Sequence, residues 1–313
     1  MKLSTNLTML IEFCEGERFM YQYYIYGLGI HSEIKLYHLE ETSAAPDVTV
    51  RYASVPEDIG LLTAQGVASA MSASRIWFRN DSGHFIIQNG NEILVCPFGD
   101  VDEKELASFV LGWSISFLFL QRGFSAIHCS AMEIDGHRAA LIAGVSGAGK
   151  STAALSLIEA GYRYLADDII MVKPSADMLV YPGFPLQKVC RNVAEQMDDE
   201  DLFYINERKD KFAYYNTEDF CNEPRQLSIM IMLDKYDGDT VLTEELTGLA
   251  KWNCMLQNLF LLDAYKSFDY PPEEKARTLE LAGKIRIYKI TRPDGTDTID
   301  EIRDAMIRIF NQT

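Results

Sequence analysis

The chain has 313 residues, which is enough for one large domain or two ordinary ones, each with a sizeable apolar core. Hydrophobic residues make up 48% of it and charged residues 24%, which is typical of a soluble globular protein. The formal net charge is −17 and the sequence has no long basic run, so nucleic acid and anionic membranes are excluded as expected partners.

In chain order, the first hundred residues alternate short apolar stretches with turn residues. The stretches are rich in aromatic and β-branched residues and are bounded by Asn, Asp and Gly, which favours short antiparallel strands. The predicted strands are 23–26, 48–52, 76–78, 84–87 and 93–95. We therefore predict a sheet-rich α+β N-terminal domain over residues 1–100.

Residues 102–121 are predicted to form one helix. Asp102, followed three residues later by Glu105, is a capping-box pattern, and Gly123 lies just beyond the end. The segment is apolar on nearly all faces, so we expect the helix to be buried. Its most apolar part is too short to span a bilayer.

The next segment alternates strands with a turn and a helix. Residues 125–134 and 138–143 are predicted strands joined by the tight turn Asp135-Gly136, which makes them antiparallel neighbours. Residues 150–160 are predicted to form a helix that ends at Gly161, and residues 164–172 a further strand.

Between the second strand and the helix, Gly144 to Ser151 matches the phosphate-loop pattern G-x-x-x-x-G-K-[ST]. Glycines allow a tight turn whose backbone N–H groups point at phosphate oxygens, and the helix adds its own N-terminal N–H groups. Lys150 would supply a cation for the β- and γ-phosphates, and Ser151 a hydroxyl ligand for Mg²⁺. The residues predicted to bind a nucleoside triphosphate are Gly144, Ser146, Gly147, Ala148, Gly149, Lys150, Ser151 and Thr152.

Two adjacent carboxylates, Asp167 and Asp168, follow the loop after only one helix. One of them can accept a proton from an attacking hydroxyl while the other holds Mg²⁺. On a continuous strand the two side chains would point to opposite faces, so only one would face the γ-phosphate. A solvated turn without catalytic function is an equally frequent alternative. His128 is a third candidate, although a lone strand histidine more often packs in a core.

Beyond residue 174 the pattern is looser. Residues 198–201 are expected to be an acidic, solvated stretch. Asp234-Lys235-Tyr236-Asp237 resembles the guanine-binding pattern N-K-x-D, but Asp in place of Asn loses the amide's donor, so we interpret it as coincidence and predict ATP as the nucleotide. The remaining predicted elements are strands 227–233 and 285–290 and helices 247–266, 273–281 and 299–310.

The six cysteines are widely spaced and form no CxxC pair, which argues against a zinc site and a disulfide framework. We expect small buried thiols in a reducing compartment. The N-terminus has no basic region followed by a long apolar stretch, so a cytoplasmic location is predicted.

The order of these motifs resembles the catalytic domain of HPr kinase/phosphorylase and of the HPr-kinase-like serine kinases. The shared run is a strand with His128, a short hairpin, the loop Gly144 to Ser151, a helix ending in Gly161, and Ala166-Asp167-Asp168. The resemblance covers roughly residues 105 to 235. It implies an α/β P-loop kinase domain of the HPr kinase/PEP carboxykinase-like type, with a mixed sheet, over residues 101–313.

The resemblance also implies residue roles. Lys150 and the loop amides would bind the β-phosphate, Ser151 and Asp168 would hold Mg²⁺, Asp167 would activate a serine hydroxyl, and His128 would support the site. The E-V-R-G-x-G-I-type signature of the bifunctional enzymes is not found in residues 173–215, so no phosphorylase activity is predicted. Candidates to neutralise the transferring phosphoryl group, or else ordinary surface charges, are Arg191, Arg208, Lys209 and Lys211.

The lead hypothesis is an ATP- and Mg²⁺-dependent kinase whose acceptor is a serine hydroxyl of a protein or peptide. A nucleotide-binding regulator without catalysis and a kinase of a small hydroxylated metabolite are the alternatives. Residues 1–100 are expected to bind the acceptor. Whether the chain forms a homo-oligomer is left open.

Overall fold

The structure is a computed structural model that describes residues 20–37, 39–145, 147–190, 194–195, 202–206, 211–266 and 271–312. Within these ranges the protein is a mixed α/β fold with three sheets. Ser146, the acidic stretch 198–201 and the candidate cations Arg191, Arg208 and Lys209 lie outside the described residues. The side chain of Lys211 lies outside them too.

The first sheet is built from the N-terminal part of the chain. Its strands, in spatial order, are β1 (Tyr21–Ile25), β2 (Leu28–Ser32), β3 (Val48–Tyr52), β7 (Glu92–Pro97), β6 (Gly83–Gln88), β5 (Arg75–Arg79) and β4 (Ser69–Met71). The prediction of purely antiparallel pairing is wrong, because β3 runs parallel to both β2 and β7. Residues 33–47 are long enough to carry the chain back to the same end of the sheet, which parallel pairing requires. Helix α1 (Glu57–Ala64) follows β3.

The helical segment predicted at 102–121 is confirmed, with one turn of π-helix in its middle. Helix α2 (Glu103–Phe109) starts after Asp102, whose side chain accepts the backbone N–H of Lys104, and α3 (Ile115–Gln121) follows residues 110–114. The capping box is half formed, because the Glu105 carboxylate accepts the Ser82 hydroxyl instead of turning back to Asp102. Helix α3 is buried on nearly all faces, as expected.

The second sheet has nine strands among the described residues and mixes parallel with antiparallel pairs. Its central strand β17 (Arg225–Tyr236) runs parallel to β10 (Arg138–Gly144) on one side and to β19 (Arg286–Pro293) on the other. Strand β9 (Cys129–Glu133) pairs with β10 in the predicted antiparallel sense. The remaining strands are β8 (Ser125–Ile127), β11 (Tyr164–Ala166), β12 (Ile170–Val172), β13 (Leu179–Val180) and β18 (Leu242–Leu246).

Two predicted strands of this sheet are each divided in two. The segment 125–134 forms β8 and β9 with a break at His128, and the segment 164–172 forms β11 and β12 with a break at residues 167–169. Strand β8 pairs with β12, while β9 pairs with β10 and β11. The predictions of single continuous strands are therefore wrong, and the reason is that each half pairs with a different neighbour.

A third sheet of three strands was not predicted. It consists of β14 (Leu186–Cys190), β16 (Lys211–Tyr215) and β15 (Leu202–Asn206), in that spatial order.

The helices of the second half follow the predictions with one exception. Helices α4 (Lys150–Glu159), α6 (Pro272–Lys284) and α7 (Ile299–Asn311) form where expected. Helix α5 (Leu249–Gln257) stops well before the predicted end at 266. It stops there because Asn258 and Phe260 pair with the backbone around His128: the His128 N–H donates to Asn258 O (2.7 Å) and the Phe260 N–H to Ala126 O (2.9 Å).

The largest buried apolar cluster joins the two larger sheets. It contains Tyr26 and Phe85 from the first sheet, Phe119 from α3, and Leu141 and Met230 from the second sheet. A second cluster fills the space between the second sheet and helices α4 and α7. A domain boundary near residue 100 stays a prediction.

Four cysteines within the described residues, Cys96, Cys129, Cys221 and Cys254, are free and buried, as expected. Burial raises the pKa of Cys96 and of Cys254 to about 11. Among the helices that the structure describes, none has the length and apolar character needed to cross a membrane.

Candidate functional site

The glycine loop connects the end of β10 to the start of α4. At Gly144 the chain lies so close to β17 that a Cβ atom would be 2.4 Å from the Leu233 carbonyl oxygen, which excludes any larger residue without a shift of the backbone. Gly147 and Gly149 have φ of 77° and 98°, in the left-handed region that glycine adopts without strain. The Ala148 N–H donates to the Val145 carbonyl (3.1 Å). Helix α4 then begins at Lys150 and directs its free N–H groups toward the loop.

Two basic side chains hold this loop in shape. The Lys150 ammonium donates to the Gly144 carbonyl (2.8 Å) and so folds back across the loop. From the end of β19, Arg292 donates its Nε to Ala148 O (3.1 Å) and its Nη2 to Gly147 O (3.3 Å). Ser151 is partly buried and Thr152 is exposed in the first turn of α4.

The two predicted carboxylates lie on a tight turn between β11 and β12. The Ile169 N–H donates to the Asp167 carbonyl (2.9 Å), and Asp168 between them has a φ of 72°. This is the rare form of γ-turn, in which the central residue has positive φ and the backbone is strained. The prediction that the two side chains point to opposite faces of a continuous strand is therefore wrong, because residues 167–169 form a turn. The Asp167 carboxylate accepts the Lys188 backbone N–H, and the Asp168 carboxylate contacts the Lys188 ammonium.

Asp167 is enclosed by hydrogen-bond donors. The Ser130 hydroxyl of β9 donates to its Oδ1 (2.5 Å), and the backbone N–H of Lys188 in β14 donates to its Oδ2 (2.8 Å). Burial raises the pKa of Asp167, although the two hydrogen bonds act in the opposite direction. A carboxylate whose pKa is raised is better suited to accept a proton.

Asp168 lies between a lysine and a histidine. The Lys188 ammonium is 2.6 Å from its Oδ2, and the His128 Nδ1 is 3.6 Å from its Oδ1. The same Nδ1 lies 3.0 Å from the Asp168 backbone carbonyl. A carbonyl only accepts, so the geometry assigns the proton of this hydrogen bond to Nδ1.

His128 lies at the break between β8 and β9, with its ring tilted against that of Phe260 at 6.2 Å. Its pKa is lowered, first by burial; the negative charge of Asp168 opposes this change and the positive charge of Lys150 adds to it. Burial raises the pKa of the neighbouring Cys129 thiol; the negative charge of Asp167 raises it further and the positive charge of Lys150 opposes the change. The charges of Lys150 and of the carboxylate turn therefore both act on His128.

Three residues of this site were missed from the sequence: Ser130, Lys188 and Arg292. Ser130 is an ordinary residue of the predicted strand 125–134, without a pattern that marks its bond to Asp167. Lys188 lies in a sheet that was not predicted, and nothing in Leu186-Gln187-Lys188-Val189 distinguishes it from a surface lysine. Arg292 lies just beyond the predicted strand 285–290 and reaches the loop only through the pairing of β19 with β17. None of the three positions had a sequence signal, because the contacts join segments far apart in the chain. The roles of the predicted site residues stay predictions.

The donor set suits Mg²⁺ delivered with phosphates better than a free metal ion. Among the residues that the structure describes, no three His, Cys, Asp or Glu side chains form a cluster that could hold a metal. The hard oxygens of Asp168 and Ser151 are nevertheless of the type that Mg²⁺ prefers, and Mg²⁺ is usually held by one or two carboxylates together with substrate phosphates and water. These two residues fit the predicted metal in that form.

The segment that resembles a guanine-binding pattern is engaged elsewhere. Asp234 pairs with Lys289 (2.9 Å) and Lys235 with Asp294 (3.0 Å), each at the end of the second sheet.

Comparison with known proteins gives a limited result. No protein-family model matches the chain, and no curated protein matches it either. Solved structures do match, and one of them is the Hpr(Ser) kinase/phosphatase from Coxiella burnetii, with 14% sequence identity, 60% of this chain and 94% of that chain covered, and a TM-score of 0.30. At this TM-score the match does not identify a family, so the function of the chain has to be inferred from the residues of its site.

Proposed function

We propose that the protein is an ATP- and Mg²⁺-dependent kinase that transfers the γ-phosphoryl group to a hydroxyl, with serine of a protein or peptide as the acceptor. The observation that carries the proposal is the carboxylate turn, where Asp167 has a raised pKa and Asp168 pairs with Lys188. His128 bonds to this turn and adjoins Cys129, which pairs with Ala143 immediately before the glycine loop. The motif order that resembles the HPr-kinase-like kinases, and the sequence without the phosphorylase signature, support a kinase that lacks phosphorylase activity.

The loop residues account for binding of the nucleotide. Gly147 and Gly149 leave the loop without side chains where phosphate oxygens approach, and the N-terminal N–H groups of α4 favour negative charge. The Lys150 ammonium, which now donates to the Gly144 carbonyl, is a mobile cation on a flexible stem that can turn to the phosphates.

The carboxylates account for the transfer step. Asp167 accepts the proton of the acceptor hydroxyl as its oxygen forms a bond to the γ-phosphorus; the bond from that phosphorus to the bridging oxygen breaks, and ADP leaves with the electron pair. Ser130 and the Lys188 N–H hold the Asp167 carboxylate in one orientation, and each of its oxygens keeps a further lone pair for the proton. The Lys188 ammonium stabilises negative charge on the transferring group.

Asp168 and Ser151 are the residues that would hold Mg²⁺, and a bound Mg²⁺ supplies neutralisation of the charge on the phosphate oxygens.

The proposal is tested with the purified full chain, labelled ATP and panels of seryl peptides, proteins and small hydroxylated metabolites. We expect ATP-dependent labelling of a peptide or protein acceptor. Asp167→Asn should keep the affinity for ATP and lower kcat by about 10²- to 10⁴-fold, because it removes the proton acceptor and little else. Asp239→Asn, which changes an exposed carboxylate after β17, is the matched control and should behave as the wild type.

Two outcomes would contradict the proposal. Binding of ATP with no transfer to any member of the panels would favour a nucleotide-binding regulator. Labelling of a small metabolite alone would favour the metabolite kinase.

A further inference from the structure

Each carbonyl of the strained carboxylate turn receives a hydrogen bond from a different source. Asp167 O accepts the N–H of Ile169, which closes the turn (2.9 Å). Asp168 O accepts the Nδ1 of His128 (3.0 Å), and Ile169 O accepts the hydroxyl of Tyr26 (2.8 Å). The last donor comes from the first sheet, 143 residues away in the chain.

Tyr26 is an unusual residue for its position. It lies with Gly27 in the two-residue turn between β1 and β2, and both residues have positive φ (52° and 78°). Turns of this kind favour Asn-Gly or Asp-Gly, and positive φ is unfavourable for a bulky residue. Hairpin turns are also normally exposed, whereas Tyr26 is only 2% exposed. A conformational cost and full burial at a turn suggest that the side chain is kept for what it contacts.

The contacts of Tyr26 form a direct path to the carboxylate turn. Its N–H donates to the Pro182 carbonyl (2.8 Å), and the next residue, Gly183, donates its own N–H to Leu165 O in β11 (2.9 Å). A Cβ atom on Gly183 would lie 3.0 Å from the Ala166 Cβ and 3.1 Å from the Tyr26 ring. The hairpin turn, residues 182–183 and β11 are therefore packed against one another without space for a side chain.

The Tyr26 ring is held as firmly as its backbone. It packs edge to face on Phe119 of α3 (5.7 Å) and on Phe184 (6.4 Å). Burial raises the pKa of Tyr26, and the charges of Asp168 and Asp167 raise it further, so the hydroxyl keeps its proton and remains a donor.

We propose that Tyr26 is a positioning residue of the carboxylate turn. Through the Ile169 carbonyl, its hydroxyl holds the γ-turn in the conformation that presents Asp167 and Asp168, and the first sheet is thereby part of the phosphoryl-transfer site. The effect of this contact on turnover rests on the proposed kinase function, whereas its effect on the turn itself does not. The inference differs from acceptor binding by residues 1–100, because loss of a positioning contact lowers kcat, while loss of an acceptor contact raises the acceptor KM.

The test compares Tyr26→Phe with Tyr23→Phe in the full chain. Tyr23 lies on β1, three residues before Tyr26, is 1% exposed, and its hydroxyl accepts the N–H of Leu36 (3.0 Å) within the N-terminal part. Both variants lose one buried hydroxyl from the same hairpin, and only one of these hydroxyls contacts the carboxylate turn. Unfolding by urea is measured for both, so that their free energies of unfolding can be compared.

Two measurements are made on each variant. Hydrogen exchange of a peptide spanning residues 165–172 reports on the turn without any need for activity, and Tyr26→Phe should exchange about five- to tenfold faster there, because one hydrogen bond of the turn is lost. With an acceptor found in the peptide panel, Tyr26→Phe should lower kcat about ten- to hundredfold and change the acceptor KM less than about twofold, because misplacement of reacting groups acts on the transfer step. Tyr23→Phe should match the wild type in both.

Exchange in residues 165–172 that is unchanged in Tyr26→Phe, or changed equally in Tyr23→Phe, would overturn the inference. So would a Tyr26→Phe variant that raises the acceptor KM and keeps kcat. If the wild type transfers no phosphoryl group, the proposed function fails, while the exchange measurement still decides whether Tyr26 holds the turn.

Discussion

The two larger sheets of the protein differ in whether segments predicted as single strands are continuous. In the first sheet the predicted strands 76–78, 84–87 and 93–95 each form one unbroken strand, β5, β6 and β7. In the second sheet the predicted strands 125–134 and 164–172 are each broken in the middle. The breaks fall at His128 and at the carboxylate turn, which lie in hydrogen-bond contact with each other.

The difference coincides with the place of the proposed phosphoryl-transfer site. The strands of the first sheet are continuous because each keeps the same neighbours along its length: β6 pairs with β5 on one side and with β7 on the other over nearly the whole strand. Where the strands of the second sheet are broken, regular strand pairing stops and backbone groups form hydrogen bonds with side chains instead. Local rules for regular structure fail at strained or functional positions more often than elsewhere.

Among the variants that compare the two sheets, Lys188→Met is expected to have the largest effect on kcat. It tests whether the positive charge beside the carboxylate turn contributes to phosphoryl transfer. The change keeps the length of the side chain and the backbone N–H to Asp167 but removes the cation 2.6 Å from Asp168. We expect kcat for phosphoryl transfer to fall about a hundredfold, because a preorganised charge near the transferring group is lost. Steady-state kinetics with the acceptor from the peptide panel measures this.

The matched control is Lys173→Met, which removes an exposed ammonium at the end of β12, 5.4 Å above the Phe124 ring. It should keep the kcat of the wild type. Equal kcat values in the two variants would show that the positive charge beside the carboxylate turn does not contribute to phosphoryl transfer.

A smaller effect, on stability, is expected when glycine is replaced by alanine once in the second sheet and once in α1, which packs on the first sheet. Gly144→Ala places a Cβ 2.4 Å from the Leu233 carbonyl oxygen at the end of β10, so the backbone of the second sheet has to shift. We expect the free energy of unfolding to fall by about 1–3 kcal/mol, as for other overpacked sites. Urea denaturation measures it.

Gly60→Ala is the counterpart in α1, where the new Cβ has no heavy atom within 4 Å apart from the backbone of its own helix and its chain neighbours. It should raise the free energy of unfolding by about 0.5–1 kcal/mol, because alanine has the higher helix propensity. If Gly144→Ala proved as stable as the wild type, the close approach of the loop to β17 would not constrain that position.

The smallest effect is on the pH dependence of stability, and it concerns a buried histidine of the first sheet. His84 of β6 is 4% exposed, and its Nε2 lies 3.1 Å from the Thr63 hydroxyl. Its pKa is lowered, first by burial and then by the positive charge of Arg79. The unfolded chain therefore takes up a proton near pH 6.5 that the folded chain takes up only at lower pH, and the free energy of unfolding decreases as pH falls from about 6.5 through the folded-state pKa.

His84→Gln removes this contribution. Between pH 7 and pH 5 the variant should lose less free energy of unfolding than the wild type, by no more than about 1.4 kcal/mol per pH unit, measured by urea denaturation at each pH. Its kcat at pH 7 should be that of the wild type, because the His84 ring contacts Thr63, Trp77 and Phe98, which lie away from the proposed site. An identical pH dependence in both proteins would mean that His84 titrates as it does in the unfolded chain.

Much of the loop could be predicted from the sequence because its determinants are local. Gly147 and Gly149, the helix that starts at Lys150 and the stop at Gly161 depend on backbone conformations and hydrogen bonds within a few residues. The antiparallel pairing of β9 and β10 followed from the tight turn between them for the same reason.

The partners of the carboxylates could not be predicted in that way. Lys188 and Tyr26 reach the turn at residues 167–169 from positions 20 and 143 residues away, and neither carries a pattern that marks its partner. The strand predictions failed at His128 and Asp168 because apolar residues on both sides continue the alternation, while pairing with different neighbours breaks the strand.

By itself the sequence determined the mixed α/β character, the glycine loop with its helix, and the carboxylates and histidine as candidates for chemistry. Only the tertiary structure decided how these candidates are arranged: that both carboxylates share a strained turn, that Lys188 spans them, and that the first sheet reaches the same turn through Tyr26. The physical reason is the range of the interactions. Glycine conformations and helix ends depend on neighbouring residues in the chain, whereas an ion pair or a buried hydroxyl depends on which distant segments the packed core brings within 3 Å.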